Sequence, residues 1–184
     1  VEPGVILGDL IRHTAPAGWF PAVVPGTQFV TIGGAVANDI HGKNHHRHGT
    51  FGRHVVSLRL MRSDGRLLTC GPDRHAEMFA ATVGGLGLTG LIVEIELQLM
   101  RVGSTDIVQE AVAIENLGAF FAKAPEREAR HDYVVAWLDS LASGRNLGRG
   151  VLLCGDHAPG GPSSALRATP RVGVPFTPPF GVIN

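Results

Sequence analysis

An excess of either charge is missing from this sequence. Sixteen Lys and Arg balance sixteen Asp and Glu, and charged residues make up only 17% of 184. Without a net charge there is no electrostatic argument for nucleic acid or for an anionic membrane surface. Cysteine is scarce too. Cys70 and Cys154 lie far apart, in no metal-ligand spacing, which points to free thiols in a reducing compartment. No apolar run approaches membrane-spanning length, since Glu94 and Glu96 interrupt the longest strand-like run at residues 91–100. No signal-peptide pattern opens the sequence, and there is no internal repeat. A P-loop, a Ser-His-Asp order and a carboxylate pair are all absent, so hydrolase and NTPase chemistry have no support. The expectation is a soluble, cytoplasmic globular protein, with 44% apolar residues to form a core.

Glycine is plentiful, and its most informative placement is in residues 23–48. A Pro25-Gly26 turn leads to the pair Gly33-Gly34, then to the small residues Ala35, Val36 and Ala37. A polar cluster of Asn38, Asp39, His41, Lys43 and Asn44 closes the stretch. Glycine lets backbone approach a ligand closely. Exposed amides at such a turn, with a helix starting at Gly34, would suit a phosphate. The reading is a phosphate cradle with reactive polar groups one or two turns beyond it.

This stretch resembles the FAD-binding domain of the vanillyl-alcohol-oxidase (PCMH-type) flavoprotein superfamily. Within it, the nearest likeness is to the decaprenylphosphoryl-β-D-ribose 2'-oxidases. The resemblance rests on Pro25-Gly26-Thr27, Thr31-Ile32-Gly33-Gly34-Ala35 and Asp39-Ile40-His41-Gly42-Lys43-Asn44-His45-His46. It covers roughly residues 1–139, and the histidine-rich string is its specific part. It implies an α+β fold: a PCMH-type FAD-binding subdomain with a mostly antiparallel sheet flanked by helices, then the start of a cap domain. The implied division is 1–103 for FAD binding and 104–184 for the substrate domain. Val1 is not a methionine and residues 172–184 are proline-rich, so the chain is expected to be an internal fragment, inactive alone.

In chain order, Leu7, Leu10 and Ile11 form one helical stripe ending near Pro16-Ala17-Gly18. Val56, Leu58 and Leu60 alternate with Ser57 and Arg59 as a strand, and Asp64-Gly65 supplies a hairpin turn. Pro72 and Asp73 can start a helix that buries Met78, Phe79 and Thr82. Gly85, Gly87 and Gly90 satisfy G-x-G-x-x-G, with Glu110 twenty residues on. That fingerprint must follow a strand and open a helix, whereas here it follows a helix and opens a strand. NAD is therefore not expected. The strand after it should run from Leu91 to Met100 with its odd-numbered residues on the core face. Beyond residues 103–105 the pattern predicts strands at 107–113, 133–138 and 151–154, a helical stripe of Leu117, Phe120 and Phe121, and a loop from Pro159 onward.

His41 reads either as a surface histidine or, by the resemblance, as a group at the flavin and substrate face. Imidazole suits the second place because it exchanges a proton near neutral pH. Lys43 is either a solvated loop residue or a cation beside a flavin or a substrate phosphate. The resemblance implies FAD contacts at Gly26, Thr31, Ile32, Gly33, Gly34, Asn38, Asp39, Ile40, His41 and Ile92. It implies substrate contacts at His41, Gly42, Lys43 and Trp137, with His41 and Lys43 catalytic. Trp137 reads equally as a core residue, and Val135 stands where the family has serine. His45, His46 and His48 lack a second ligand cluster at zinc spacing, so no metal is expected. The implied activity is FAD-dependent oxidation of a secondary alcohol, the 2'-hydroxyl of a polyprenyl-phosphoryl ribose, in arabinan precursor and cell-wall synthesis. A reductase partner would complete an epimerisation, and the lipid-linked substrate would bring the protein to a membrane. Other FAD-linked alditol or 2-hydroxy-acid oxidases, and a flavin-binding module without catalysis, stay open.

Overall fold

A computed structural model describes residues 1–160. The loop expected from Pro159 onward lies almost wholly outside the described residues. Among the described residues, eight strands form three small antiparallel sheets which, with five helices, surround two hydrophobic clusters. The fold is α+β.

Helix α1, Leu7–Thr14, buries Leu7 and Ile11 as its spacing predicts. Its first amides are satisfied from residues 28–30, because Leu7 N–H donates to Val30 O and Gly8 N–H to Gln28 O. Gly18 ends the following turn in the left-handed region, at φ 77°. Strand β1, Trp19–Pro21, then leads into residues 23–31. Helix α2, Ile32–Ala37, begins two residues earlier than the glycine pair suggested. Thr31 is its N-cap, with Oγ1 accepting from Gly34 N–H at 3.1 Å. Ile32, Ala35 and Val36 anchor this helix in the first core. Helix α3, His45–His48, is a single turn.

The expected hairpin forms from β2, Val55–Met61, and β3, Leu67–Cys70. On the other side of β2 lies β4, Leu91–Leu97. Two register slips between β2 and β4 overturn part of the alternation. Ser57 pairs with Glu96 and Val55 with Leu97, so Val56 is extra and faces outward. Leu60 pairs with Ile92 and Arg59 with Glu94, so Val93 is extra. A one-residue bulge exchanges the two faces. Ile95 and Leu97 point to the core as expected, but before the bulge Ile92 (7% exposed) replaces Leu91 (59% exposed). The predicted strand also breaks at Gln98, whose N–H donates to His54 O. Residues Leu99–Arg101 form β5 and pair with β1 instead. The helix expected from Pro72 starts later, as α4, Ala76–Thr82, after His75 turns the chain at φ 48°.

The second cluster lies under the sheet β6-β8-β7, made of Ile107–Ile114, Gly150–His157 and Tyr133–Leu138. Helix α5, Leu117–Arg130, covers it, capped by the Asn116 side chain, which accepts from Ala119 N–H. Phe120, Ala119 and Ala124 face the cluster. Phe121 departs from the predicted stripe and is exposed.

Candidate functional site

Residues 38–44 form a rim held by hydrogen bonds on both sides. Asn38 ends α2, its Nδ2 donating to Gly34 O at 2.9 Å. Asp39 turns the chain at φ 42°, and its Oδ1 accepts from Gly52 N–H at 2.8 Å. Ile40 O accepts from Phe51 N–H, and His41 bridges to Thr50 in a short antiparallel pair. Gly42 packs against the Val24 carbonyl so closely that a Cβ would collide with it. Asn44 is fully buried, its Nδ2 donating to Ala22 O at 2.7 Å. Lys43 is left exposed between two pinned neighbours.

Residues 43–47 are then joined to the second sheet. Val134 N–H donates to Lys43 O at 2.9 Å. Arg47 pairs with Asp132 at 2.8 Å and donates to Ala129 O at 2.6 Å. His46 Nε2 donates to His131 O at 3.0 Å. His131 in turn bonds Asp156 at 2.6 Å. Burial alone would raise the Asp156 carboxyl, but the Asp132 N–H and the His131 ring outweigh it and hold it below the usual carboxylate range. Burial also lowers the His48 imidazole.

Between this rim and the second sheet lies a cavity of about 330 Å³. Its lining includes Gly26 and Lys43 from residues 23–48, and Tyr133, Val135, Leu153 and His157 from the second sheet. The structure therefore brings together two of the sequence candidates, Gly26 and Lys43. His41 lies beside the rim, exposed and edge-on to His45 at 5.7 Å between ring centres. Trp137 follows Tyr133 and Val135 on alternate positions of β7 but is 68% exposed and outside the cavity lining. Ile92 and Ile32 are core residues. The glycine loop at 84–90 is a turn, not a helix. It is pinned to the end of α2 by Gly84 N–H to Val36 O and Leu86 N–H to Ala37 O.

The glycine pair has a packing reason of its own. A Cβ on Gly33 would lie 2.7 Å from Pro3 Cβ, and one on Gly34 2.9 Å from Thr31 Oγ1. The amides of Ile32, Gly33 and Gly34 donate to Val5 O, Pro3 O and Thr31 Oγ1. Tyr133 and His157 escaped the sequence reading. The period of two along 133, 135 and 137 already puts Tyr133 with Trp137. His157 enters only through the register of β8. Among the described residues no group of three His, Cys, Asp or Glu is placed to hold a metal. Cys70 and Cys154 are free, buried thiols whose pKa burial pushes up, so neither is a ready nucleophile.

Residues 1–71 match a family model described as an FAD binding domain. The chain is also 37% identical over 162 residues to the decaprenylphosphoryl-beta-D-ribose oxidase of Mycolicibacterium smegmatis, covering 86% of this chain and 35% of that protein. Residues 1–71 thus carry an FAD binding domain, and the chain is similar to members of the PCMH-type FAD-binding oxidoreductase superfamily. An uncharacterized protein in the mprA 5' region of Streptomyces coelicolor is 41% identical over 155 residues, 84% of this chain and 42% of that one. The L-gulonolactone oxidase of Mus musculus is 33% identical over 98 residues, 53% and 22%. The chain spans less than half the length of these relatives.

FAD is the cofactor of this superfamily, and the Pro25-Gly26 turn beside the cavity fits it. The Gly26 and Thr27 amides have no partner among the described residues. Nothing stands within 4 Å of where a Gly26 Cβ would be. A turn of free amides beside a cavity suits an anionic or carbonyl-bearing group. At Gly33 and Gly34 the same donors are engaged within the chain. No helix among the described residues is long and apolar enough to cross a membrane.

Proposed function

We propose that this protein is an FAD-dependent oxidoreductase that converts a secondary alcohol to a ketone, with a polyprenyl-phosphoryl ribose oxidised at its 2'-hydroxyl as substrate. Residues 1–103 would serve as the FAD-binding part and residues 104–184 as the start of a substrate domain. The observation that carries the reading is Lys43, held by its own backbone at the cavity between the family's FAD-binding segment and the second sheet. The identity to decaprenylphosphoryl-beta-D-ribose oxidase supports the substrate class.

When bound, FAD supplies the two-electron acceptor. The chain's residues do the rest. The Lys43 ammonium attracts the phosphate of the substrate, and its fixed backbone limits where that charge can sit. The His41 imidazole, exposed on the rim, would take up the proton of the oxidised hydroxyl. The Gly26 turn offers its amides to the cofactor. Trp137 would line the approach to the site, and a reductase partner would complete an epimerisation.

Val135 favours a second reading. It lines the cavity where the likeness led us to expect serine, so the wall lacks one polar contact. An FAD-linked oxidase of another sugar-derived alcohol fits that difference. At the full length of the relatives it matches, the protein supplied with FAD should oxidise farnesyl-phosphoryl-β-D-ribose in the presence of a dye acceptor, and Lys43→Ala should raise KM for it. Oxidation of free alditols alone would favour the second reading.

A further inference from the structure

We propose that Tyr133 and His157 form a hydroxyl-reading pair in the cavity wall, with the Tyr133 oxygen accepting a hydrogen bond from an uncharged sugar or polyol ring. The proposal deepens the alcohol-oxidising reading and rests on it for the choice of ligand class.

His157 Nδ1 lies 2.7 Å from Ser104 O. A carbonyl only accepts, so Nδ1 carries the proton, and in a neutral imidazole Nε2 is then bare. Tyr133 Oη lies 3.0 Å from that Nε2, so the phenol donates to it. The single phenolic proton is spent in this bond. Tyr133 lines the cavity, and its oxygen has no other partner among the described residues. What remains is acceptor capacity turned to whatever fills the cavity. A hydroxyl donor satisfies it, whereas a carboxylate or phosphate oxygen, which only accepts, is repelled.

The rings cannot easily rearrange to escape this assignment. His157 packs edge-on against Phe20 at 5.0 Å and against Tyr133 at 5.5 Å. Burial, then the charges of Asp132 and Asp156, push the Tyr133 phenol up, so it stays protonated and keeps donating to His157. Val135 and Leu153 flank the pair and make its surroundings apolar, which raises the cost of leaving the oxygen unpaired. Among the described residues of the lining, Lys43 is the one lysine, arginine or carboxylate side chain. The cavity therefore sorts its ligand by polarity: a neutral hydroxylated ring toward Tyr133, an anionic substituent toward Lys43.

The test is calorimetric titration of the protein with octyl β-D-ribofuranoside and with octyl tetrahydrofuranyl ether, the same frame without hydroxyls. Neither needs turnover. Tyr133→Phe should bind the riboside about tenfold more weakly, the effect of one lost hydrogen bond, and the ether unchanged. The ¹⁵N shifts of His157 should show Nδ1 protonated and Nε2 bare. Equal affinities of wild type and Tyr133→Phe for the riboside, no binding of the riboside, or an Nε2-protonated ring would each overturn the proposal. If the titration and the shifts come out as expected but the protein at the full length of its relatives, loaded with FAD, oxidises no alcohol, the pair stands and the oxidase reading falls.

Discussion

The Val134 amide donates to the Lys43 carbonyl over 2.9 Å, a bond between residues 91 positions apart in the chain. It fastens the one cationic rim residue of the cavity to the edge of β7. Lys43 is thus placed by backbone, while its ammonium stays free to move in solvent.

Arg47 and Asp132 brace the same junction, and both are partly exposed, at 41% and 33%. Solvent screening keeps such a pair weak. A double-mutant cycle of Arg47→Met and Asp132→Asn should give a coupling of about 0.5 kcal/mol. Arg47→Met alone should cost about 1–2 kcal/mol, because the Ala129 carbonyl also loses its donor. A coupling above about 3 kcal/mol in urea unfolding would show that the pair is desolvated and this picture wrong.

The bulge at Val93 makes a paired prediction. Ile92→Ala removes a core side chain and should cost about 2–5 kcal/mol, whereas Leu91→Ala should stay within about 0.5 kcal/mol. Chemical denaturation of both variants checks it. The reverse order would restore the unbroken alternation.

Gly33→Ala should destabilise by about 1–3 kcal/mol, since the new methyl meets the Pro3 ring at 2.7 Å and its carbonyl at 3.2 Å. Gly26→Ala has open space and should leave the melting temperature unchanged. Thermal unfolding of the two proteins without cofactor separates packing from any role in holding FAD.

Acid should destabilise the fold in two stages. His48 and Asp156 both bind protons more weakly folded than unfolded. Each therefore stabilises fully above its ordinary value, 6.5 and 3.8, and that contribution is lost as pH falls through the lowered folded value. His48→Asn should flatten the upper stage and Asp156→Asn the lower one. Urea midpoints measured from pH 8 to pH 3 test this; a wild-type midpoint that rises between pH 7 and pH 5 would contradict it.

The local elements were legible in the sequence because short-range chemistry decides them. The stripe of Leu7, Leu10 and Ile11 forms α1, and Asp64-Gly65 turns the β2–β3 hairpin. The glycine run at 84–90 opens a strand, and the motif from Pro25 to His46 belongs to an FAD-binding family. Only the tertiary structure decided which face each strand buries, because one extra residue at Val56 or Val93 exchanges the faces without altering the composition. It also decided what Gly33 is packed against, since Pro3 lies thirty residues away. Tyr133 and His157 belong to different strands, and nothing in either neighbourhood predicts a 3.0 Å hydrogen bond between them. That bond follows from antiparallel register, which sets Tyr133 opposite Gly155 and leaves His157 two residues farther along the same side of β8.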